Sequence, residues 1–375
     1  MKLFDVYPLY DIEPVKGSGS KLWDKEGIEY LDLYGGHAVI SIGHSHPHYV
    51  KRISDQLNQL GFYSNAVQNS IQEELAEKLG VISGLEDYQL FLCSSGAEAN
   101  ENALKLASFQ TGRKKVIAMK NAFHGRTSGA VATTDNPKII APFNADHQVE
   151  FVPLNDVEAL TAAIDEETAA VIIEGMQGVA GVFLPSEEYL LKAEKLCKEN
   201  GAMLILDEVQ SGSGRSGKFF AFQHTDIKPD IIPLAKGIGN GFPVGMVLIA
   251  PHIKPWHGML GTTFGGNHLA CAAALSVLEA ICEEKLMENA SQLGEWLTAE
   301  LELISEVKEV RGKGLMIGIT LDFEAVELRK KLLFNHKIFT GSAAHKNTIR
   351  LLPSLAVTKE ELSQFLEALK IELKH

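Results

Sequence analysis

From about residue 88 to residue 250 the chain alternates between short apolar runs and longer stretches in which apolar residues recur at helical spacing. The runs are Tyr88–Cys93, Val116–Met119, Val149–Pro153, Ala169–Glu174, Ala202–Asp207, Asp230–Ala235 and Val244–Ala250. Several are apolar at nearly every position, the pattern of strands covered on both faces of a parallel sheet. Between them, Ala97–Gln110 and Ser186–Asn200 read as helices, the second stopped by Gly201. Such alternation predicts a doubly wound α/β domain with ligands beyond the carboxyl ends of its strands.

The flanks follow another pattern. Residues 1–45 carry short alternating runs with turn signals at Gly17-Ser18-Gly19-Ser20 and Lys25-Glu26-Gly27, which predict a small antiparallel element. After Gly265-Gly266 a long helical stretch is expected to about residue 303, then a strand over Gly314–Leu321 and a last helix from Thr358. Thr358 with Glu361 forms a capping-box pattern there. The chain therefore divides into an N-terminal segment, 1–45, a large unit, 46–260, and a C-terminal segment, 261–375, the two end segments together building a smaller α+β domain.

Composition narrows the function. The 375 residues carry 35 Lys and Arg against 48 Asp and Glu, a formal charge of −13 without a basic block, so nucleic acid is a poor partner. The longest apolar runs, such as Ala169 to Ile173, fall far short of the roughly 20 residues of a membrane span. The N-terminus lacks a secretory pattern. Four cysteines, Cys93, Cys197, Cys271 and Cys282, are far apart and suggest neither a disulfide framework nor a metal site. The expectation is a cytoplasmic enzyme.

Candidate chemistry gathers at strand ends. Gly212-Ser213-Gly214-Arg215-Ser216-Gly217-Lys218 imitates a nucleotide P-loop, but Phe219 stands where a hydroxyl is needed for Mg²⁺, so it reads as a flexible loop. Ser94-Ser95-Gly96-Ala97 turns from a strand straight into a helix, and such a start suits a phosphate, although simple capping by Ser explains it as well. Asp207 ends a buried strand and needs a cation or several donors, whether an ion pair or a protonated ring nitrogen. Lys236 leaves another apolar run into Gly237-Ile238-Gly239, where partial desolvation favours carbonyl chemistry. A phosphate cup, a buried acid and an amine are the contacts a pyridoxal phosphate cofactor requires.

With these residues in order, the sequence resembles the class III aminotransferases among the fold-type I pyridoxal phosphate enzymes, most closely their acetylornithine and succinylornithine branch. The resemblance covers nearly the whole chain. It runs through Leu31-Asp32-Leu33, Gly43-His44-Ser45-His46-Pro47, Ser95-Gly96-Ala97-Glu98-Ala99-Asn100, Phe123-His124-Gly125-Arg126-Thr127 and Leu206-Asp207-Glu208-Val209-Gln210. It continues in Leu234-Ala235-Lys236-Gly237, Thr262-Thr263-Phe264-Gly265-Gly266-Asn267 and Val310-Arg311-Gly312-Lys313-Gly314-Leu315-Met316. The fold it implies is α/β, with a mostly parallel seven-stranded sheet in the large domain.

The resemblance also implies roles. Lys236 would link covalently to pyridoxal 5'-phosphate and then shuttle a proton. Asp207 would hold the ring nitrogen protonated, Val209 and Phe123 would flank the ring, and Gln210 would bond its hydroxyl side. Ser95, Gly96 and Ala97 would hold the phosphate, with Thr263 of a partner subunit completing that site in a homodimer; Glu208 belongs to the same set of cofactor contacts. Arg126 and Arg350 would bind substrate carboxylates, beside Thr262. His124, His44 and His46 are expected to be structural, and no metal is implied. The reaction implied moves the δ-amino group of N-acetyl- or N-succinyl-ornithine to 2-oxoglutarate in arginine biosynthesis. Other ω-amines (ornithine, 4-aminobutyrate, N-succinyldiaminopimelate, an acyl-lysine), an aminomutase or a non-catalytic binding protein are the alternatives.

Three residues depart from the family pattern: Val179 where Glu is common, Gly175 where Pro is usual, and His268 in place of Pro. Val179, which removes an acid, bears on the donor range, as does a wall near Phe62, Tyr63 and Asn65.

Overall fold

A computed structural model describes residues 1–374. Its centre is a seven-stranded sheet in the order Gln89–Cys93, Gly245–Ile249, Ile231–Leu234, Met203–Asp207, Thr168–Glu174, Lys115–Met119, Val149–Val152. Each strand lies within one residue of its predicted limits; the central ones are runs buried on both faces, and Thr168–Glu174 is buried at every position. Neighbours in the sheet run parallel except Gly245–Ile249, which is antiparallel to both strands beside it. The reason is the short link from Ile231–Leu234 through the tight turn Lys236–Gly239, since a parallel return needs a crossover of a dozen residues or more. The helix Gly96–Thr111 packs across the central strands, and Glu187–Asn200 packs on Thr168–Glu174 and Met203–Asp207.

Outside this sheet, Pro14–Ser18, Lys21–Asp24 and Glu29–Asp32 form an antiparallel meander whose last strand pairs in parallel with Ile338–Phe339. A second four-stranded sheet joins Val307–Lys313, Met316–Leu321, Thr348–Leu351 and Gly341–Ser342. The predicted helical stretch after Gly266 is two helices, His268–Glu283 and Leu286–Glu302. The break falls at Lys285, whose φ of 52° is left-handed and cannot continue a helix. His268–Glu283 packs against Pro47–Gln59 and Ser70–Ser83. The last helix, Lys359–Leu373, starts at the expected capping box: Thr358 Oγ1 accepts from the Glu361 N–H, and Glu361 returns the contact to the Thr358 N–H.

The glycine-rich segment that imitates a P-loop is not a flexible loop. Ser211 to Ser216 are buried, and the Arg215 guanidinium donates to the carbonyls of Leu315 and Pro353, tying the large sheet to the C-terminal part of the chain. Among the described residues no helix is long and apolar enough to cross a membrane, and no cluster of His, Cys, Asp or Glu could hold a metal ion.

Candidate active site

The parallel strands end at one edge of the sheet, and their C-terminal residues open into a cavity of about 430 Å³. Met203–Asp207 delivers Asp207, the adjacent Ile231–Leu234 leads into Lys236, and the helix starting at Gly96 presents its N-terminus. Ser95, Gly96 and Ala97 line one end of the cavity, Phe123 and Val209 its walls, and Gln210 and Arg126 the remainder.

The helix start is capped and still leaves backbone donors facing the cavity. Ser95 Oγ caps the Glu98 N–H at 3.2 Å, and Glu98 folds back to accept from the Ser94 N–H at 2.9 Å. The N–H groups of Gly96 and Ala97, first in the helix, have no intrahelical acceptor, and the helix dipole adds positive potential there. Gly96 admits no side chain: an added Cβ would sit 2.6 Å from Val209 Cγ1.

Lys236 is held in a left-handed backbone conformation, φ 50°, which a lysine adopts only when its surroundings impose it. Those surroundings are a turn clamped by Asn240, whose Oδ1 accepts from the N–H groups of Ser41 (2.9 Å) and Ile42 (3.1 Å). Ser41 Oγ also donates to the Gly237 carbonyl at 2.5 Å. Burial pushes the Lys236 pKa below that of a free lysine, against the attraction of Asp207 and Glu174. The amine is thus easier to bring to its neutral, nucleophilic form.

Asp207 is buried and accepts three hydrogen bonds. Its Oδ2 accepts from Asn100 Nδ2 at 2.8 Å and from His124 Nδ1 at 2.7 Å, while Oδ1 accepts from the Val209 N–H at 2.9 Å. Beside it in register on the next strand lies Glu174, also buried and also facing the cavity. Burial, reinforced by Asp207, pushes the Glu174 pKa up to about 7, although His124 and the N–H groups of Phe123 and Gly178 oppose the shift.

Of the two arginines, Arg126 is exposed on the cavity rim. Arg350 is buried behind Gln210, donating through Nε to the Ser342 carbonyl at 2.5 Å and through Nη1 to Gln210 Oε1 at 3.5 Å. Among the described residues no carboxylate pairs with it, and burial lowers its pKa. Val179 lines the cavity with an apolar side chain. Gly175 has no room for a larger residue, because a Cβ there would lie 2.6 Å from both Glu208 Oε1 and Ser211 Oγ.

Four residues of the expected set stand outside this cavity: Arg350, behind Gln210, and Glu208, Thr262 and Thr263. Glu208 points into the core, accepting from Ser211 Oγ at 2.6 Å and the Phe222 N–H at 2.9 Å, because alternate residues at the strand end face opposite ways. Thr262 and Thr263 lie on a loop braced by Asn65, which donates to the Gly265 carbonyl at 3.0 Å, and Thr263 is exposed. Phe62 stacks near Phe264 on the same outer face. Conversely, Glu174 and Asn100 belong to the site but carried no sequence assignment, and His124 was expected to be merely structural. Asn100 was within reach: it follows Gly96 by four positions, one helical turn along the same face.

The arrangement fits pyridoxal phosphate. The first N–H groups of the helix could meet a phosphate, the bare Gly96 leaves space against Val209, and an amine with lowered pKa lines the same cavity as a fixed carboxylate. The fold and this site define a pyridoxal phosphate-dependent transaminase, and the chain belongs to the class III aminotransferases, whose family model (Aminotransferase class-III) matches residues 6–373. It is 42% identical to the acetylornithine aminotransferase of Caldanaerobacter subterraneus, over 98% of this chain and 96% of that one. With the Bacillus subtilis acetylornithine aminotransferase it shares 40% identity over 100% and 98% of the two chains. Among solved structures, the ornithine aminotransferase of Toxoplasma gondii superposes with a TM-score of 0.92 at 29% identity, covering 100% of this chain and 94% of that one. The acetylornithine aminotransferase of Elizabethkingia anophelis gives 0.84 at 32%, covering 100% and 96%.

Proposed function

We propose that this aminotransferase is a cytoplasmic homodimer that moves the δ-amino group of N-acetyl- or N-succinyl-ornithine to 2-oxoglutarate, as a step of arginine biosynthesis. The observation that carries the reading is the convergence of Lys236, Asp207 and the Gly96 helix start in one cavity rimmed by Arg126. The two relatives named acetylornithine aminotransferase, each matched over nearly its full length, support the choice of donor. Ornithine aminotransferases among the structural neighbours favour free ornithine as the second reading.

The bound cofactor supplies an aldehyde that captures amines and a ring that accepts the electron pair released on deprotonation. Lys236 would hold the cofactor and, when free of it, would carry a proton to and from the substrate carbon. Burial lowers its pKa, which brings the neutral, proton-accepting amine within easier reach. Asp207 keeps the ring nitrogen protonated. The N–H groups of Gly96 and Ala97, with Ser95, bind the phosphate, and Thr263 reaches it from the partner subunit. Val209 and Phe123 hold the ring between them, while Gln210 bonds its hydroxyl side. Arg126 anchors a substrate carboxylate. Arg350 offers a second anchor behind Gln210, so that an acceptor with two carboxylates meets two guanidinium groups.

Two measurements test this. Lys236→Ala should abolish turnover and the visible absorbance of bound cofactor, and persistent turnover would reject the mechanism. A comparison of kcat/KM for N-acetylornithine, N-succinylornithine, free ornithine and 4-aminobutyrate should favour an acylated form by at least about tenfold, on the order of 1.4 kcal/mol in transition-state binding. Preference for free ornithine would move the protein to the second reading.

A further inference from the structure

Asp207 is the acid that faces the cofactor ring, yet its carboxylate is held from behind by two side chains from different elements. Asn100 comes from the first turns of the helix Gly96–Thr111, and His124 from the segment after Lys115–Met119. Both are buried, and both direct a donor to the same oxygen, Oδ2, at 2.8 and 2.7 Å. Asn100 Nδ2 also donates to the His124 carbonyl at 2.7 Å, which locks the pair to one another. Their other polar atoms, Asn100 Oδ1 and His124 Nε2, find no hydrogen-bond partner among the described residues. Burying polar atoms without partners costs stability, so the pair is a poor choice if its purpose is only to pack the core.

A carboxylate has about four lone-pair sites. Asn100, His124 and the Val209 N–H occupy three, which leaves roughly one, and Asp207 lines the cavity. We propose that Asn100 and His124 are positioning residues: they fix the Asp207 carboxylate in one orientation, so that its remaining acceptor site serves the protonated ring nitrogen of the cofactor. The proposal rests on Asp207 being the partner of that nitrogen. Without the two donors the carboxylate can rotate away from the cavity, held only by the Val209 N–H. The other ionisable groups lining this pocket are Lys236 and Arg126, with Glu208 in the core beside Asp207 and Arg350 behind Gln210; all four persist in the variants below.

The test uses four variants of the holoenzyme: His124→Leu, Asn100→Leu, His124→Asn and Asp207→Asn. Two quantities are read, the Kd for pyridoxal phosphate and the pH midpoint at which the absorbance of the bound cofactor changes. An asparagine amide nitrogen falls where Nδ1 of histidine lies, so His124→Asn keeps the donor and discards the unpartnered Nε2. Each leucine variant should weaken cofactor binding by about tenfold or more, the effect of losing a hydrogen bond to a charged group, and move the midpoint. His124→Asn should stay within about twofold of the parent in Kd, with its midpoint unmoved. Leucine variants that melt lower but keep both Kd and midpoint would overturn the proposal, as would a His124→Asn variant no better than His124→Leu. If neither leucine variant folds, His124→Asn decides alone: parental binding supports the proposal and a loss above about fivefold overturns it. Asp207→Asn separates the two levels, since an unchanged Kd and midpoint there would remove the underlying reading of Asp207 itself.

Discussion

Glu174 and Asp207 are paired across adjacent strands, two buried carboxyls at one sheet edge. Asp207 has donors on both oxygens, while Glu174 takes only the N–H groups of Phe123 (3.0 Å) and Gly178 (3.2 Å). Burial is the main reason its pKa stands at about 7 rather than in the usual carboxylate range. An acid whose pKa is raised by folding stabilises the fold fully below the unfolded value, and that contribution is lost as the pH climbs through the folded value. Stability should therefore fall between about pH 4.5 and pH 7, by on the order of 3 kcal/mol from this residue. Glu174→Gln removes the titration at the expense of one accepting oxygen. Thermal melting of the cofactor-free protein should decline more steeply from pH 5 to pH 8 in the parent than in the variant; parallel declines would refute the assignment. Residues like Glu174 were not legible in the sequence, because a carboxylate ending an apolar run looks the same whether it faces a cavity or the core. Glu208 is the counterexample, expected in the site and found bonded inside the core.

At the scale of elements, the sequence was read best where burial is complete on both faces, as in the central strands of the large sheet. It was read least well where a strand is half-exposed. Val307–Lys313 carries Lys308, Glu309 and Arg311 and has no apolar run to announce it. The direction of Gly245–Ile249 was equally hidden, since it depends on the length of a turn rather than on the strand. The junction of strand and helix at Ser95-Gly96 was legible, but capping and anion binding look alike in one dimension. The structure shows the Ser95 cap and, beside it, a lack of space at Gly96. In Gly96→Ala the new methyl meets Val209 Cγ1 at 2.6 Å and Ala235 Cβ at 3.4 Å, so Val209 must shift into the space for the ring. Helix propensity alone would make this change favourable by about 1 kcal/mol. Equilibrium dialysis should instead find pyridoxal phosphate bound about tenfold more weakly, with the fold retained, as overpacking costs of 1–3 kcal/mol imply. Unchanged affinity would mean that this helix start is not where the cofactor lies.

At the scale of the whole molecule, the residues left out of the cavity point in one direction. Thr262 and Thr263 stand on a loop whose neighbours Phe62, Tyr63, Val67 and Phe264 are all exposed, an apolar surface unusual in so acidic a chain. The proposed homodimer accounts for both facts if this surface meets a second copy and Thr263 works in the partner's site. A twofold-symmetric dimer then has two composite sites, each with Lys236 from one chain and Thr263 from the other. That geometry has an arithmetic consequence. Lys236→Ala chains lack the amine but carry an intact Thr263. Thr263→Asp chains keep the amine but place a negative charge against the partner's phosphate. Each variant alone should be nearly inactive. Co-expressed in equal amounts and assembled at random, half the dimers are mixed, and in each mixed dimer one site unites an intact Lys236 with an intact Thr263. Activity should recover to roughly a quarter of the parental value. If Thr263 served its own chain, every Lys236-bearing site in the mixture would still face the aspartate and no activity would return. If the protein were monomeric by sedimentation at the assay concentration, mixing would again restore nothing. Sedimentation distinguishes the two failures, because only in the first does the mass of a dimer persist.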